Sequence, residues 1–311
     1  MKAAYLTGHG GTDKFVYGDV PDPVAGPGEV VVDVHAASVN AADYKVRLGG
    51  SAYSGASNLK FPYILGRDFS GVVARLGPGV TDFQIGDEVF GVMDQGIEGC
   101  YAEKVKIAAA IIARKPERLD HAQAAAMALT SLTAIWALED TARLQAGETI
   151  LIQGGAGGVA GFAIQLAKHL GARVITTAST RNHEYCRRLG ADQVIDYNTE
   201  DFTKSVSGCD VVFDTVGGEV QARSYEVLRP GGRLVWIAPA PAGFQPPRQD
   251  VEVLRPRVAR DRAHLERMKE LLAAGAVSPP AITPYKLADA ALAHRVSEGR
   301  HLQGKLVLIV R

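Results

Sequence analysis

Gly155, Gly157 and Ala160 stand at the spacing G-x-G-x-x-(G/A), within the run Gly154-Gly155-Ala156-Gly157-Gly158-Val159. Small residues so placed let backbone approach a pyrophosphate and let a strand pack closely on a helix, so the chemistry they suit is the holding of a dinucleotide. The elements needed to position such a turn flank it. Thr149-Ile150-Leu151-Ile152 is a short β-branched run suited to a buried parallel strand. Ala163, Leu166, Ala167 and Leu170 then recur on one helical face, and Gly171 falls where a helix C-terminus favours a left-handed residue. A second β-branched run comes at Arg173 to Thr177. A helix starting near Val159 aims its free N–H groups and positive dipole end at bound phosphate.

The residues after the second strand bear on which dinucleotide is held. A site for an unphosphorylated ribose carries an Asp or Glu about 20 residues past the fingerprint. Here the place is taken by Thr177-Ala178-Ser179-Thr180-Arg181, and no acid stands between Glu148 and Glu184. The hydroxyls of Ser179 and Thr180 and the Arg181 guanidinium suit a 2′-phosphate, so the expected cofactor is NADPH.

Composition narrows the rest. The chain has 311 residues, 47% hydrophobic and 22% charged, enough for two domains with a large core. Its 34 basic and 34 acidic residues balance, which argues against a surface built for nucleic acid or anionic membrane. The first residues lack the apolar core of a signal peptide, and the apolar stretch Ala124 to Leu138 is too short to span a bilayer. Cys100, Cys186 and Cys209 are too few and too scattered for a disulfide framework or a Cys-rich zinc site. A cytoplasmic enzyme is the expectation.

Residues 1 to about 120 are β-rich. Glu29 to His35, Gly71 to Ala74 and Glu88 to Gly91 read as strands separated by turns at Gly77-Pro78-Gly79 and Gly86-Asp87, the pattern of a bent antiparallel sheet or partial barrel. Leu119 to Ala142 reads as mostly helix, an apolar segment able to bridge two domains. From Thr149 strands and helices alternate: strand 149–152, helix 159–170, strand 173–177, helix near 182–189, strand 193–195, strand 210–213, helix 219–228 and strand 233–237, with Arg229 to Gly232 as a turn. That alternation predicts a doubly wound parallel sheet of Rossmann type. A strand at Val251 to Leu254, helices at Asp261 to Ala274 and Leu287 to Val296, and a strand at Leu306 to Val310 close the chain. The predicted division is 1–121 with 259–311 as the β-rich domain, and 122–258 as the dinucleotide domain.

Motifs along the whole length carry a family resemblance. They are Gly26-Pro27-Gly28-Glu29-Val30, Val39-Asn40-Ala41-Ala42-Asp43-Tyr44-Lys45, Leu65-Gly66-Arg67-Asp68-Phe69-Ser70-Gly71, Leu132-Thr133-Ala134, the glycine turn, Leu189-Gly190-Ala191-Asp192 with Ile195-Asp196-Tyr197, and Gly304-Lys305-Leu306-Val307-Leu308. The chain resembles the zinc-independent medium-chain dehydrogenases/reductases, in particular the NADPH:quinone and enone oxidoreductases. The resemblance implies that the β-rich domain is GroES-like and catalytic, and that the protein is a homodimer acting on a small-molecule quinone or enone. Zinc alcohol dehydrogenases of the superfamily place a Cys ligand near the position of Val39 and a His in a Gly-His-Glu motif. This chain has Gly66-Arg67-Asp68 instead, and only Cys100 where they carry a four-cysteine lobe. Without three protein ligands no catalytic zinc is expected.

By resemblance, Asn40 lies beside the nicotinamide, Thr133 bonds its carboxamide, and Tyr197 lies near the adenosine phosphate. Gly155, Ala156, Gly157, Gly158 and Val159 form the pyrophosphate turn. Val216 and the loop containing Ile237 and Ala238 come after strand C-terminal ends, where ligands bind in such folds. Many quinone reductases have a Tyr two residues after the Asp; Lys45 is there instead, beside Tyr44, which tilts the reading toward enones. Hydride delivery to an enone leaves an enolate oxygen that an ammonium or phenol stabilises. Tyr53, Tyr63 and Phe244 are candidates for the acceptor slot, each also compatible with core packing, and His35 reads as structural. The alternatives are an enoyl-thioester reductase using a Tyr such as Tyr53 as proton donor, and a non-catalytic NADPH-binding protein of crystallin or RNA-binding type; the balanced charge lends the RNA variant no support.

Overall fold

The computed structural model describes residues 1–50, 59–94, 96–97 and 99–311. The chain forms two compact units. One comprises Met1–Leu129, Arg260–Lys269 and Pro279–Arg311; the other comprises Thr130–Ala259 and Glu270–Ser278.

The first unit is built on the strand Glu29–Val39, whose valines at 30, 31, 32 and 34 are fully or nearly fully buried. Its sheet runs Ile282–Lys286, Lys305–Ile309, Glu29–Val39, Asp68–Leu76, Glu88–Val92, Ile112–Arg114, with Lys104–Ala108 also pairing to Glu29–Val39. All pairings but that of Ile282–Lys286 with Lys305–Ile309 are antiparallel. Register shifts at Val31/Val32 and Val34/Ala36 increase the local bend, as an extra residue in one strand does. A three-stranded sheet of Phe15–Asp19, Lys2–Leu6 and Tyr63–Ile64 completes the unit. Leu6, Val32, Phe69, Val89, Tyr101 and Leu308 share its core.

In the second unit six parallel strands lie in the order Gln193–Asp196, Arg173–Ala178, Thr149–Gln153, Cys209–Asp214, Leu228–Trp236, Glu252–Leu254. This is the doubly wound order, with the direction of winding reversing between Thr149–Gln153 and Cys209–Asp214. The strands are near-continuous apolar runs, as burial on both faces demands. The sequence places a turn at Arg229 to Gly232; the strand instead begins at Leu228 and carries these residues as an irregularity, Cys209 pairing with Leu228 and Val211 with Arg233. The preceding helix is correspondingly shorter than predicted, Glu219–Ser224. The segment after Leu119 is the helix His121–Ile135 continued by a π-helical stretch, Trp136–Thr141. Among the described residues no helix is long and apolar enough to cross a membrane.

Candidate functional site

In the second unit the strand Thr149–Gln153 delivers its chain into the glycine turn, and the helix Gly158–His169 leaves it. Gly154 has φ +76°, a left-handed conformation that costs glycine nothing. Gly155 lies so close to the neighbouring strand that a Cβ would sit 2.2 Å from Thr176 Oγ1. Thr176 is itself fixed, donating its hydroxyl to the Ile152 carbonyl at 2.6 Å. Gly157 differs: it has φ −74° and ψ 160°, and a Cβ there would meet only the Gly154 carbonyl oxygen, at 3.4 Å. The protein itself leaves that position open. Gly155 thus serves strand packing, while the backbone at Gly157 is left accessible. Thr177 pins the turn by accepting the Gly154 N–H at 3.0 Å and donating to Gln153 Oε1 at 2.7 Å.

Asp196 is the residue that reading along the sequence missed. Parallel pairing sets Ala178 opposite Asp196, so a carboxylate arrives beside Ser179 to Arg181 from the adjacent strand. One of its oxygens accepts from the Thr180 backbone N–H at 3.2 Å and from the Thr180 hydroxyl. The other accepts from the Asn198 backbone and side chain, both at 2.9 Å. Four donors occupy the roughly four acceptor positions of a carboxylate. These bonds, the Thr180 hydroxyl first, hold its pKa below the ordinary value. Thr180 thereby spends its proton on shaping the loop. Ser179 accepts from Asn182 Nδ2 at 3.2 Å, and Arg181 and Tyr197 are exposed beside them.

At the switch point, Asp214 ends its strand fully buried. Its carboxylate accepts from the Val216 N–H at 2.9 Å and the Gly217 N–H at 3.1 Å, closing a tight turn. Burial pushes its pKa up to about 6 against the pull of those two bonds. Val216 is left exposed, Ile237 donates its N–H to the Asp214 carbonyl, and Ala238 is buried. Thr133 is buried on its helix. Phe244 stacks obliquely on Tyr225, ring centroids 5.7 Å apart, against this unit's core.

In the first unit Asn40 lies between the strand Glu29–Val39 and the helix Ala41–Arg47. Its Nδ2 donates to Asp68 Oδ1 at 2.7 Å, and its Oδ1 accepts from Lys305 Nζ at 2.7 Å. Its backbone N–H bonds Asp43 Oδ2 at 2.8 Å, the oxygen that also accepts from Tyr101 at 2.8 Å. Asp43 is fully buried, with Arg67 Nε 3.4 Å from its other oxygen; desolvation raises its pKa while Arg67 opposes the rise. His294 lies 3.3 Å from the Tyr101 hydroxyl and is driven to a pKa of about 3 by burial and then by Arg47. Of the other predicted residues, Tyr44 is buried, Lys45 is half-buried, and Tyr63 packs against the core on its short strand. Tyr53 lies outside the described residues.

A Ser–His–Glu arrangement also occurs: His121 Nδ1 is 2.8 Å from Ser70 Oγ, and its Nε2 is 3.3 Å from Glu88. Ser70 is fully buried with its hydroxyl donated to the Val89 carbonyl, so it presents no nucleophile to a substrate. His35 stacks on His121, centroids 4.3 Å apart.

Residues 26–117 match the family described as alcohol dehydrogenase GroES-like domain, and residues 189–308 match zinc-binding dehydrogenase. Over 305 residues the chain is 35% identical to the phthioceranic/hydroxyphthioceranic acid synthase of Mycobacterium tuberculosis, covering 91% of this chain but only 14% of that protein. It is 33% identical over 321 residues to the chloroplastic NADPH-dependent alkenal/one oxidoreductase of Arabidopsis thaliana, covering 99% of this chain and 79% of that one. The structure superposes on the quinone oxidoreductase from Coxiella burnetii with a TM-score of 0.92 and 35% identity, over 100% of this chain and 99% of the other.

Proposed function

The chain is an oxidoreductase of the medium-chain dehydrogenase/reductase superfamily, and we propose that it uses NADPH to reduce a quinone or an α,β-unsaturated carbonyl without zinc. The observation that carries the cofactor reading is the saturation of Asp196. A carboxylate with free lone pairs beside the loop would suit a ribose 2′-hydroxyl and repel a 2′-phosphate. Here its lone pairs are taken by Thr180 and Asn198, and the loop offers Ser179 and Arg181. NADPH named for the plant relative agrees with this.

The cofactor, when bound, supplies the hydride. The chain's own part is to hold the pyrophosphate over the open face of Gly157 and the 2′-phosphate at Ser179 and Arg181, with Tyr197 beside it. Thr133, Val216, Ile237 and Ala238 are assigned to the nicotinamide end, as is Asn40. An enone that accepts hydride at its β-carbon becomes an enolate and must take a proton; Lys45 is assigned to stabilise that oxygen, and Tyr44, being buried, to pack behind it. Quinones need less help, since the reduced oxygen takes its proton readily from water. Phe244 and Tyr63 are spent on packing and leave the proposal.

The zinc-free reading rests on residue types. Val39 and Arg67 are not zinc ligands, and among the described residues no three His, Cys, Asp or Glu side chains converge on a metal position. A homodimer in the cytoplasm remains the proposed state. The test is steady-state NADPH oxidation against a quinone, an enone and an enoyl thioester, with elemental analysis of the purified protein. Turnover only with the thioester, no turnover at all, or stoichiometric zinc would each overturn the proposal.

A further inference from the structure

Lys305 opens the last strand, which pairs antiparallel with Glu29–Val39 so that Leu306 faces Val39 and the lysine reaches Asn40. Its side chain is buried, 6% exposed, yet it ends in an ammonium. That ammonium has two partners, the Val39 carbonyl at 2.9 Å and Asn40 Oδ1 at 2.7 Å. On the opposite end of the same carboxamide stands Asp68, also fully buried, whose Oδ1 accepts a hydrogen bond from Asn40 Nδ2 at 2.7 Å. Asp68 is in turn held by the Ser38 hydroxyl at 2.8 Å and by the Leu129 N–H at 3.4 Å.

An ammonium only donates and an ionised carboxylate only accepts, so the Asn40 carboxamide has one permitted orientation. A flipped amide would point its oxygen at Asp68 and its N–H groups at Lys305, two repulsive contacts in a water-poor site. Cation on the oxygen and anion on the nitrogen also polarise the amide in the same sense. The Asn40 side chain also caps the Asp43 backbone N–H at the start of the helix Ala41–Arg47, and its Nδ2 makes a long contact, 3.5 Å, to the Ser38 carbonyl. Asn40 itself is half-buried. Burial lowers the basicity of Lys305, and the charges of Asp68 and Asp43 oppose that loss.

We propose that Lys305 is a positioning residue for the reduction, acting through Asn40 by fixing and polarising its carboxamide in concert with Asp68, without touching the substrate. The proposal rests on the assignment of Asn40 to the reacting end of the site, and the test separates the two.

The experiment is a double-mutant cycle of Lys305→Met and Asn40→Ala, read as kcat and KM for an alkyl vinyl ketone with NADPH, and as the NADPH dissociation constant from fluorescence. Asn40→Ala and Lys305→Met should each lower kcat by about 10- to 100-fold, the range for a catalytic group that loses its placement. The NADPH dissociation constant should stay within about twofold, and the double variant should be no slower than Asn40→Ala alone, since coupled residues do not add. Multiplying losses would overturn the proposal, because Lys305 would then act elsewhere. A slow Asn40→Ala with Lys305→Met at full rate would also overturn it while leaving the Asn40 assignment standing. A wild-type rate in Asn40→Ala would sink the assignment, and the proposal with it. Since Lys305→Met strands Asp68 without its counter-charge, the cycle is run as well in an Asp68→Asn background, which removes cation and anion together and in which the same non-additivity is expected.

Discussion

Gly157→Ala and Gly155→Ala add the same methyl group two residues apart in one turn, and the surroundings give them opposite outcomes. At Gly155 the new Cβ falls 2.2 Å from Thr176 Oγ1 and 2.9 Å from its Cγ2, on a side chain anchored to Ile152. Two strands must move apart, and overpacking of this kind costs about 1–3 kcal/mol. At Gly157 the backbone is already in a region open to L-residues, and the single neighbour is 3.4 Å away. There the substitution should leave stability unchanged or raise it by about 0.4–1 kcal/mol, through a less flexible unfolded chain. The methyl group stands where a phosphate would approach, however. Losing one or two hydrogen bonds to a charged group, at about 1.5–3 kcal/mol each, weakens binding by roughly 10- to 10⁴-fold. Thermal melts without cofactor and fluorescence titration with NADPH read the two quantities separately. Wild-type NADPH affinity in Gly157→Ala would refute the assignment of this turn to pyrophosphate, and a stability loss matching that of Gly155→Ala would refute the claim that the position is open.

Arg181→Ala should weaken NADPH by ~1.5–3 kcal/mol and leave NADH nearly untouched, as loss of a charge-assisted bond to the 2′-phosphate requires; equal losses, measured by parallel titration, count against the assignment. Asp214 has a folded-state pKa raised from 3.8 to about 6, so its favourable contribution is present below pH 4 and is lost as pH rises through 6. Asp214→Asn should therefore gain on wild type by up to roughly 3 kcal/mol between pH 4 and pH 7.5 in urea unfolding, and a pH-independent difference would show that the burial cost is absent. Lys45→Ala should lower enone kcat/KM by ~10²-fold or more while quinone turnover falls much less; equal losses that track weaker NADPH binding would make Lys45 a cofactor ligand.

The parts of this molecule readable from sequence are those whose signal is local. Strand, turn, helix and strand around Gly155 and Gly157 are set by periodicity and glycine placement within about thirty residues, and the alternation beyond Thr149 yields the parallel sheet. Even there, Arg229 to Gly232 carries the composition of a turn yet lies within a strand, because pairing with Cys209–Asp214 on one side and Glu252–Leu254 on the other outweighs local preference. Asp196 escaped a search for an acid along the chain, although it was recoverable: parallel neighbours end at the same edge, so the acid closing the third strand must stand beside the loop that leaves the second.

The cluster around Asn40 is of another kind. Its members come from residues 38, 40, 43, 67, 68, 101 and 305, and no periodicity joins a lysine to an asparagine 265 positions away. The sequence places the closing strand at Leu306 to Val310 and gives Lys305 only a place in a family motif; the strand in fact begins at Lys305, and its pairing with Glu29–Val39 brings the lysine to Asn40. Burying an ammonium is costly unless it is hydrogen-bonded and offset by opposite charge; the Val39 carbonyl and the Asn40 oxygen bond it here, and the charges of Asp68 and Asp43 favour it through space. Replacing such a cluster by apolar residues of similar volume is often neutral for stability or favourable to it. Stability alone therefore does not account for it. What the charges accomplish that leucines would not is to leave one half-buried carboxamide in a single orientation.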